Sequence, residues 1–212
     1  VLWEYVLFEL SAEETTQAHK LLQGLLQGFF ASLVKGAGGD RSALNTNLCR
    51  YIQLLLEVDM AWLERQGIEM LFSETQIKQL LYYAGREGAV RLLRWLISHP
   101  AIEISSEDSA GRTAYQGVIE ADNADLLEKL LSDPGLGMGI DFRDTHGQTL
   151  LHIAAQYSFP CLEKLLAKGL EVNAEDNEKR TPLWMAAAGG QLDCLRRLVE
   201  LGTDVNRPNK NE

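Results

Sequence analysis

Apolar residues recur at helical spacing along much of this chain. Ala18, Leu21, Leu22, Leu25, Leu26, Phe29, Phe30 and Leu33 share one face of a predicted helix. Ser11 with Glu14 supplies a capping-box start to it, and Gly36 a stop. Leu44, Leu48, Ile52, Leu55, Leu56 and Trp62 predict a second helix from about Ser42 to Arg65, stopped at Gly67. Ser73 with Gln76 reads as another capping box. The opening VLWEYVLFEL is apolar nearly all round at Trp3, Tyr5, Val6, Leu7 and Phe8. It predicts a buried helix, with a strand as the alternative. Near the other end, Leu192, Leu195, Leu198 and Val199 form the stripe of a short helix.

That last helix belongs to a text written more than once. RTPLWMAAAGGQLDCLRRLVELGTDVN, residues 180–206, repeats QTLLHIAAQYSFPCLEKLLAKGLEVN, residues 148–173, at a spacing of 32 to 33. Thr149 falls on Thr181, Leu151 on Leu183, Leu165 on Leu198, and Val172-Asn173 on Val205-Asn206. The earlier copy lacks one residue near 158–160. A drifted copy starts at Asp108, where Asp108, Gly111 and Thr113 match Asp144, Gly147 and Thr149. A faint one spans 74–107, through Gly88, Leu93, Leu96 and Ile97. A period near 33 marks a helical solenoid. Thr181 is a good N-cap and Pro182 a good first helical residue. Ala186, Ala187 and Ala188 permit close helix approach, Gly189-Gly190 turns the chain, and Gly202 ends the second, antiparallel helix. One such unit cannot cover its own apolar faces, so stacked units share a core.

TPLWMAAAGG, TLLHIAA, the leading Asp-x-x-Gly and the closing Gly-x-x-Val-Asn resemble the ankyrin repeat. The resemblance is strong over 144–207, fair over 108–143 and weak over 74–107. It implies an all-α solenoid of helix-turn-helix repeats joined by short β-hairpin-like loops. Residues 1–73 show no repeat; they are expected to be a helical cap on the stack or the end of another domain. The family favours Thr-Pro-Leu-His, whose His hydrogen-bonds near the helix start. His152 keeps it, whereas Trp184 and Gln116 depart from it. Trp has a donor and no acceptor, so Trp184 is expected either to pack into the site or to stand exposed as a binding anchor. The chain opens without Met or a basic leader, which predicts a piece of a longer protein. Asn209 stands where another repeat would start, which predicts more repeats beyond it.

Composition narrows the function. The formal charge is −10, with 5 basic against 9 acidic residues in 1–73 and 15 against 21 in 74–212. Nucleic acid, which needs clustered Lys and Arg, is therefore not expected as a partner. No apolar window is long enough to predict a membrane span. Cys49, Cys161 and Cys194 offer neither a disulfide framework nor metal-ligand spacing, and they predict a reducing compartment, cytosol or nucleus. His19, His99, His146 and His152 are scattered, and no nucleophile or phosphate motif accompanies them. The glycine-rich 135–139 follows a helix rather than preceding one, so it reads as an inter-repeat loop. No enzyme and no cofactor is expected.

What remains is recognition of a protein partner. The resemblance implies a concave face built from hairpin tips and first helices. Carried over by position, its variable sites are Thr145, His146, Gln148, Gln156 and Tyr157 in one repeat. In the next they are Asn177, Glu178, Arg180, Ala188 and Gly189. In the repeat before they are Ser109, Ala110, Arg112, Glu120 and Ala121. A non-enzymatic scaffold or adaptor is the first expectation. The second is the regulatory or targeting part of a larger multidomain enzyme or effector. Asn173 and Asn206, each with Leu eight residues earlier and an acidic residue two earlier, resemble ankyrin sites of asparaginyl hydroxylation.

Overall fold

The computed structural model describes Gln17 and residues 73–98, 102–133 and 141–205. The chain divides into two units, 1–73 and 74–212, and the described helices belong to the second apart from Gln17. Outside the described residues lie the expected elements of 1–72, Cys49, His19, His99, the 135–139 stretch, Asn206 and the repeat start at 208–212.

Eight helices follow in order: α1 Glu74–Arg86, α2 Val90–Leu96, α3 Ala114–Glu120, α4 Ala124–Ser132, α5 Leu150–Tyr157, α6 Phe159–Ala167, α7 Pro182–Ala188 and α8 Leu192–Glu200. They form four hairpins of two helices each. The first helices α1, α3, α5 and α7 pack side by side as an inner layer, and α4, α6 and α8 pack as an outer one. The faint 74–107 copy is a full helix pair, with a first helix of 13 residues. No β-strand occurs among the described residues; an isolated antiparallel bridge, Arg143 to Thr149, marks one hairpin. This is the expected all-α solenoid of stacked helix pairs.

Local chemistry sets each unit. Thr113 and Thr181, both in extended backbone, accept hydrogen bonds from the N–H of Gln116 and Trp184 and so start α3 and α7. Pro182 takes the first turn of α7, where its missing N–H costs nothing. Three residues connect α3 to α4 and α7 to α8, with Asp122 (φ 57°) and Gly190 (φ 68°) making the reversal in left-handed backbone. Between α5 and α6 the single residue Ser158 suffices, in extended backbone. This is the one-residue shortening seen in the sequence. Ser158 Oγ accepts the Cys161 N–H at 3.1 Å and donates to Asp122 Oδ1 at 2.5 Å, which ties the ends of α3 and α5 together.

The core runs through the stack rather than inside one unit. Leu80, Leu93, Tyr115, Ile119, Leu127, Leu151, Leu162 and Leu165 are 2% exposed or less. Burial of each such side chain is worth about 1.5–3 kcal/mol. Inner helices approach backbone to backbone: a Cβ added at Gly117 would stand 2.2 Å from the Tyr82 carbonyl oxygen. The stripe expected on α8 is only partly buried. Cys194 and Leu198 are covered and Leu195 is half-buried, but Leu192 is 73% and Val199 42% exposed. Apolar periodicity marks the side of a helix that could be buried; no described element packs over that part of α8.

Candidate functional site

Each hairpin tip is organised by one aspartate. Asp108 Oδ1 accepts the N–H of Ala110 and Arg112; Asp144 Oδ1 accepts those of His146 and Gln148; Asp176 Oδ1 accepts those of Glu178 and Arg180. A left-handed residue closes each tip: Gly111, Gly147, and in the third case Lys179 at φ 60°. A lysine there carries a steric cost that glycine avoids.

The second carboxylate oxygen separates the tips. Arg112 donates to Asp108 Oδ2 through Nε at 3.0 Å and Nη2 at 2.7 Å. Its guanidinium also lies 4.0 Å from the Tyr82 ring centroid. Arg180 Nε donates to Asp176 Oδ2 at 2.7 Å, and its guanidinium lies 5.2 Å from the Trp184 ring. Gln148 stands where these arginines stand and leaves Asp144 without a guanidinium. Burial pushes the Asp144 carboxyl above its ordinary range, against the hydrogen bonds from Gln148 and His146. Burial acts on Asp176 in the same direction, but hydrogen bonds from the Arg180 backbone and side chain prevail and hold it low.

Consecutive tips are bonded to one another. Thr145 donates its N–H and its hydroxyl to Glu107, at 2.7 and 2.8 Å. Asn177 gives its side-chain amide to the Thr145 carbonyl and its N–H to the His146 carbonyl. Arg143 reaches the Gly147 and Glu175 carbonyls. His152 joins the same layers from below. Its Nδ1 accepts the Thr149 N–H at 3.1 Å, so the ring proton sits on Nε2, which donates to the Arg180 carbonyl at 3.0 Å. The imidazole is fully buried, and desolvation lowers its pKa.

The sequence-derived site residues fall into two groups. Arg112, Thr145, Asn177 and Arg180 are engaged in this bracing. His146 and Glu178 are exposed on the tips, and Gln148 and Gln156 are half-buried. Tyr157 at the end of α5 is 42% exposed, and Trp184 on α7 is 38% exposed. Trp184 does not fill the buried place that His152 occupies one repeat earlier; it turns outward beneath Arg180. Asn173 is half-buried in the turn after α6. Sequence reading passed over Glu107, Arg143 and Tyr82. A faint signal existed for two of them, since Glu107 and Arg143 both immediately precede a tip aspartate.

Along the outer layer, Lys164 pairs with Glu128 and Arg197 with Glu163, while Arg94 pairs with Asp133. These pairs are largely solvated and are worth little individually. Among the described residues no group of three His, Cys, Asp or Glu could hold a metal ion, and no helix is long and apolar enough to cross a membrane.

Comparison with known proteins agrees with this geometry. The chain is 31% identical to Rabankyrin-5 of Mus musculus over 57% of its length, covering 10% of that protein. It is 30% identical to Ankyrin repeat domain-containing protein 53 of Homo sapiens over 52% of its length, covering 21% of that protein. It is 31% identical to Arf-GAP with coiled-coil, ANK repeat and PH domain-containing protein 3 of Homo sapiens over 66% of its length, covering 18% of that protein. The chain thus spans about a tenth to a fifth of these relatives. A family model described as ankyrin repeats, in three copies, matches residues 116–209. With their Asp-anchored tips, Thr-capped inner helices and shared core, residues 116–209 are ankyrin repeats.

Proposed function

We propose that this chain is a non-enzymatic adaptor that holds a partner protein on the face made by its hairpin tips and inner helices. Ankyrin repeats are in general protein-interaction modules. The observation that carries the finer reading is the exposure of two large aromatic side chains, Tyr157 and Trp184, on a frame whose tips are bonded in advance. Aromatic rings at the centre of a contact supply most of its energy, and a frame braced before binding loses less entropy on association. His146, Gln148, Gln156 and Glu178 would add polar complementarity around them. Arg112 and Arg180 act here as braces for the tips, so their removal is a poor test of binding.

Crosslinking in cells followed by mass spectrometry tests this directly. Lys179 lies on a tip, whereas Lys129 and Lys164 lie on outer helices. Partner crosslinks are expected at Lys179 and are expected to be lost in Trp184→Ala. Crosslinks confined to Lys129 and Lys164 would move the interface to the outer layer.

A second reading makes this segment the regulatory or targeting part of a larger enzyme or effector. It is favoured by the small share of each relative that the chain spans, and by a relative whose name joins Arf-GAP, coiled-coil, ANK repeat and PH domain. A catalytic signature in the adjoining sequence of the parent protein would select it. A reducing compartment, cytosol or nucleus, belongs to either reading: Cys161 and Cys194 are free, and burial pushes both thiols up to about 11. Asn173 and Asn206 stand as proposed hydroxylation sites. Intact mass from oxygenated animal cells, without a shift of about one oxygen atom, would remove them.

A further inference from the structure

The ends of α3 and α5 hold a carboxylate whose charge is not matched by a cation. Glu120, the last residue of α3, is half-buried. Its Oε1 accepts from Gln116 Nε2 at 2.8 Å and its Oε2 from the Tyr82 hydroxyl at 2.5 Å. Both donors are neutral. Arg112 lies over the face of the Tyr82 ring and is bonded to Asp108. Arg86, at the end of α1, is exposed; its charge and that of Arg112 reach Tyr82, yet neither forms an ion pair with Glu120. A half-buried carboxylate is stabilised far more by a cation than by neutral donors alone, and each oxygen retains a further lone pair.

At the end of the adjoining inner helix stands the exposed Tyr157, within electrostatic reach of Glu120. The repeat register puts Tyr157 opposite Ala121, one residue past Glu120, on the adjoining inner helix. The Ser158–Asp122 hydrogen bond pins the two helix ends at this level. Burial raises the Tyr157 hydroxyl pKa, and the charge of Glu120 adds to the effect. Asp122 contributes a second carboxylate to the same edge, and the carbonyl ends of α3 and α5 also favour positive charge there.

We infer that Glu120 and Tyr157 together form a cradle for one lysine or arginine side chain of the partner, an assignment that rests on the inner-face reading above. The carboxylate accepts a charge-assisted hydrogen bond while the ring face attracts the same cation. The partner is accordingly a protein segment with a basic residue at a fixed position, its neighbours reaching along the face toward Trp184.

The test is selection of random peptides by display on the 212-residue chain, followed by affinity measurements on the selected peptides. Lysine or arginine is expected to recur at one position. Glu120→Gln, which keeps an acceptor for the Tyr82 hydroxyl, is expected to weaken binding about tenfold. Tyr157→Phe, which retains a ring face, is expected to bind within about twofold of the parent, and Tyr157→Ala about fivefold more weakly. Thermal melts of the variants check that the fold persists. Peptides without a recurrent basic residue, equal affinity for Glu120→Gln, or no selected peptide at all would overturn the cradle. If Glu120→Gln binds normally while Trp184→Ala does not, the cradle is wrong and the inner face stands. If Glu120→Gln, Tyr157→Ala and Trp184→Ala all bind normally, both assignments fall.

Discussion

Residues 144–175 and 176–205 are two versions of one unit, and they solve the same structural problems with different side chains. The earlier version turns its tip on Gly147, leaves its aspartate beside Gln148, and locks onto its neighbour through the buried His152. The later one turns on Lys179, clamps Asp176 with Arg180, and shows Trp184 to solvent. The first places its polar specificity inside, as a hydrogen-bonded joint between layers. The second clamps its tip aspartate with an arginine and leaves its largest side chain partly exposed to solvent. Adjacent copies thus differ in where the residue at the fourth position of the Thr-x-x-His stretch goes: His152 into the joint between layers, Trp184 out to solvent.

The sharpest way to break this comparison is to delete the joint. His152→Ala leaves the Thr149 N–H unpaired and the Arg180 carbonyl with the Asp176 N–H alone, beside a new cavity, and is expected to cost about 2–4 kcal/mol in denaturant unfolding. Trp184→Ala is expected to cost less than about 1 kcal/mol, because its ring is partly solvated. Equal losses would erase the distinction between the two copies. Converting the clamp is the next test: Arg180→Gln should destabilise by about 1–2 kcal/mol through loss of a charge-assisted bond to a buried carboxylate. The reciprocal Gln148→Arg should raise the melting temperature slightly.

The His152 joint also carries a pH signature. Its folded pKa lies below the unfolded value of about 6.5, so its contribution is complete above that pH. As pH falls below about 6.5 toward the folded pKa, the unfolded chain binds a proton that the folded chain refuses. Stability then declines by at most about 1.4 kcal/mol per pH unit. Replacing His152 with Gln should flatten this part of the stability curve relative to the parent, and an unaltered slope would assign it elsewhere. The smallest expected effect concerns the tip. Lys179→Gly relieves a left-handed backbone and should stabilise by up to about 1 kcal/mol, whereas Gly147→Ala should destabilise, with Asn177 already 2.5 Å from the added Cβ.

Much of this architecture is legible in the residues. The Thr caps, the Asp-x-x-Gly tips, the small residues of the inner helices and the spacing of 32 to 33 are local signals, and each acts through atoms a few residues away. The missing residue near 158–160 was also visible, and it became the one-residue link at Ser158. Less could be read where the deciding neighbour lies a full repeat away. The outward turn of Trp184, the bond of Thr145 to Glu107 and the exposure of Leu192 depend on what packs from the adjoining layer. Lys179 in left-handed backbone illustrates the same limit, since the residue type argues against the conformation that its neighbours impose. Of the candidate surface, the positions were legible, but not the division between residues that brace and residues that face outward.

The ladder of ion pairs on the outer helices gives the stack an asymmetric mechanics. The inner helices α1 and α3, and α5 and the end of α7, approach backbone to backbone and cannot be compressed without breaking close contacts, while successive outer helices are linked by long, solvated side chains such as Lys164–Glu128 and Arg197–Glu163. Under tension the array should flex about its inner rim and stretch along its outer one, like a leaf spring, and added salt should soften it by screening those pairs.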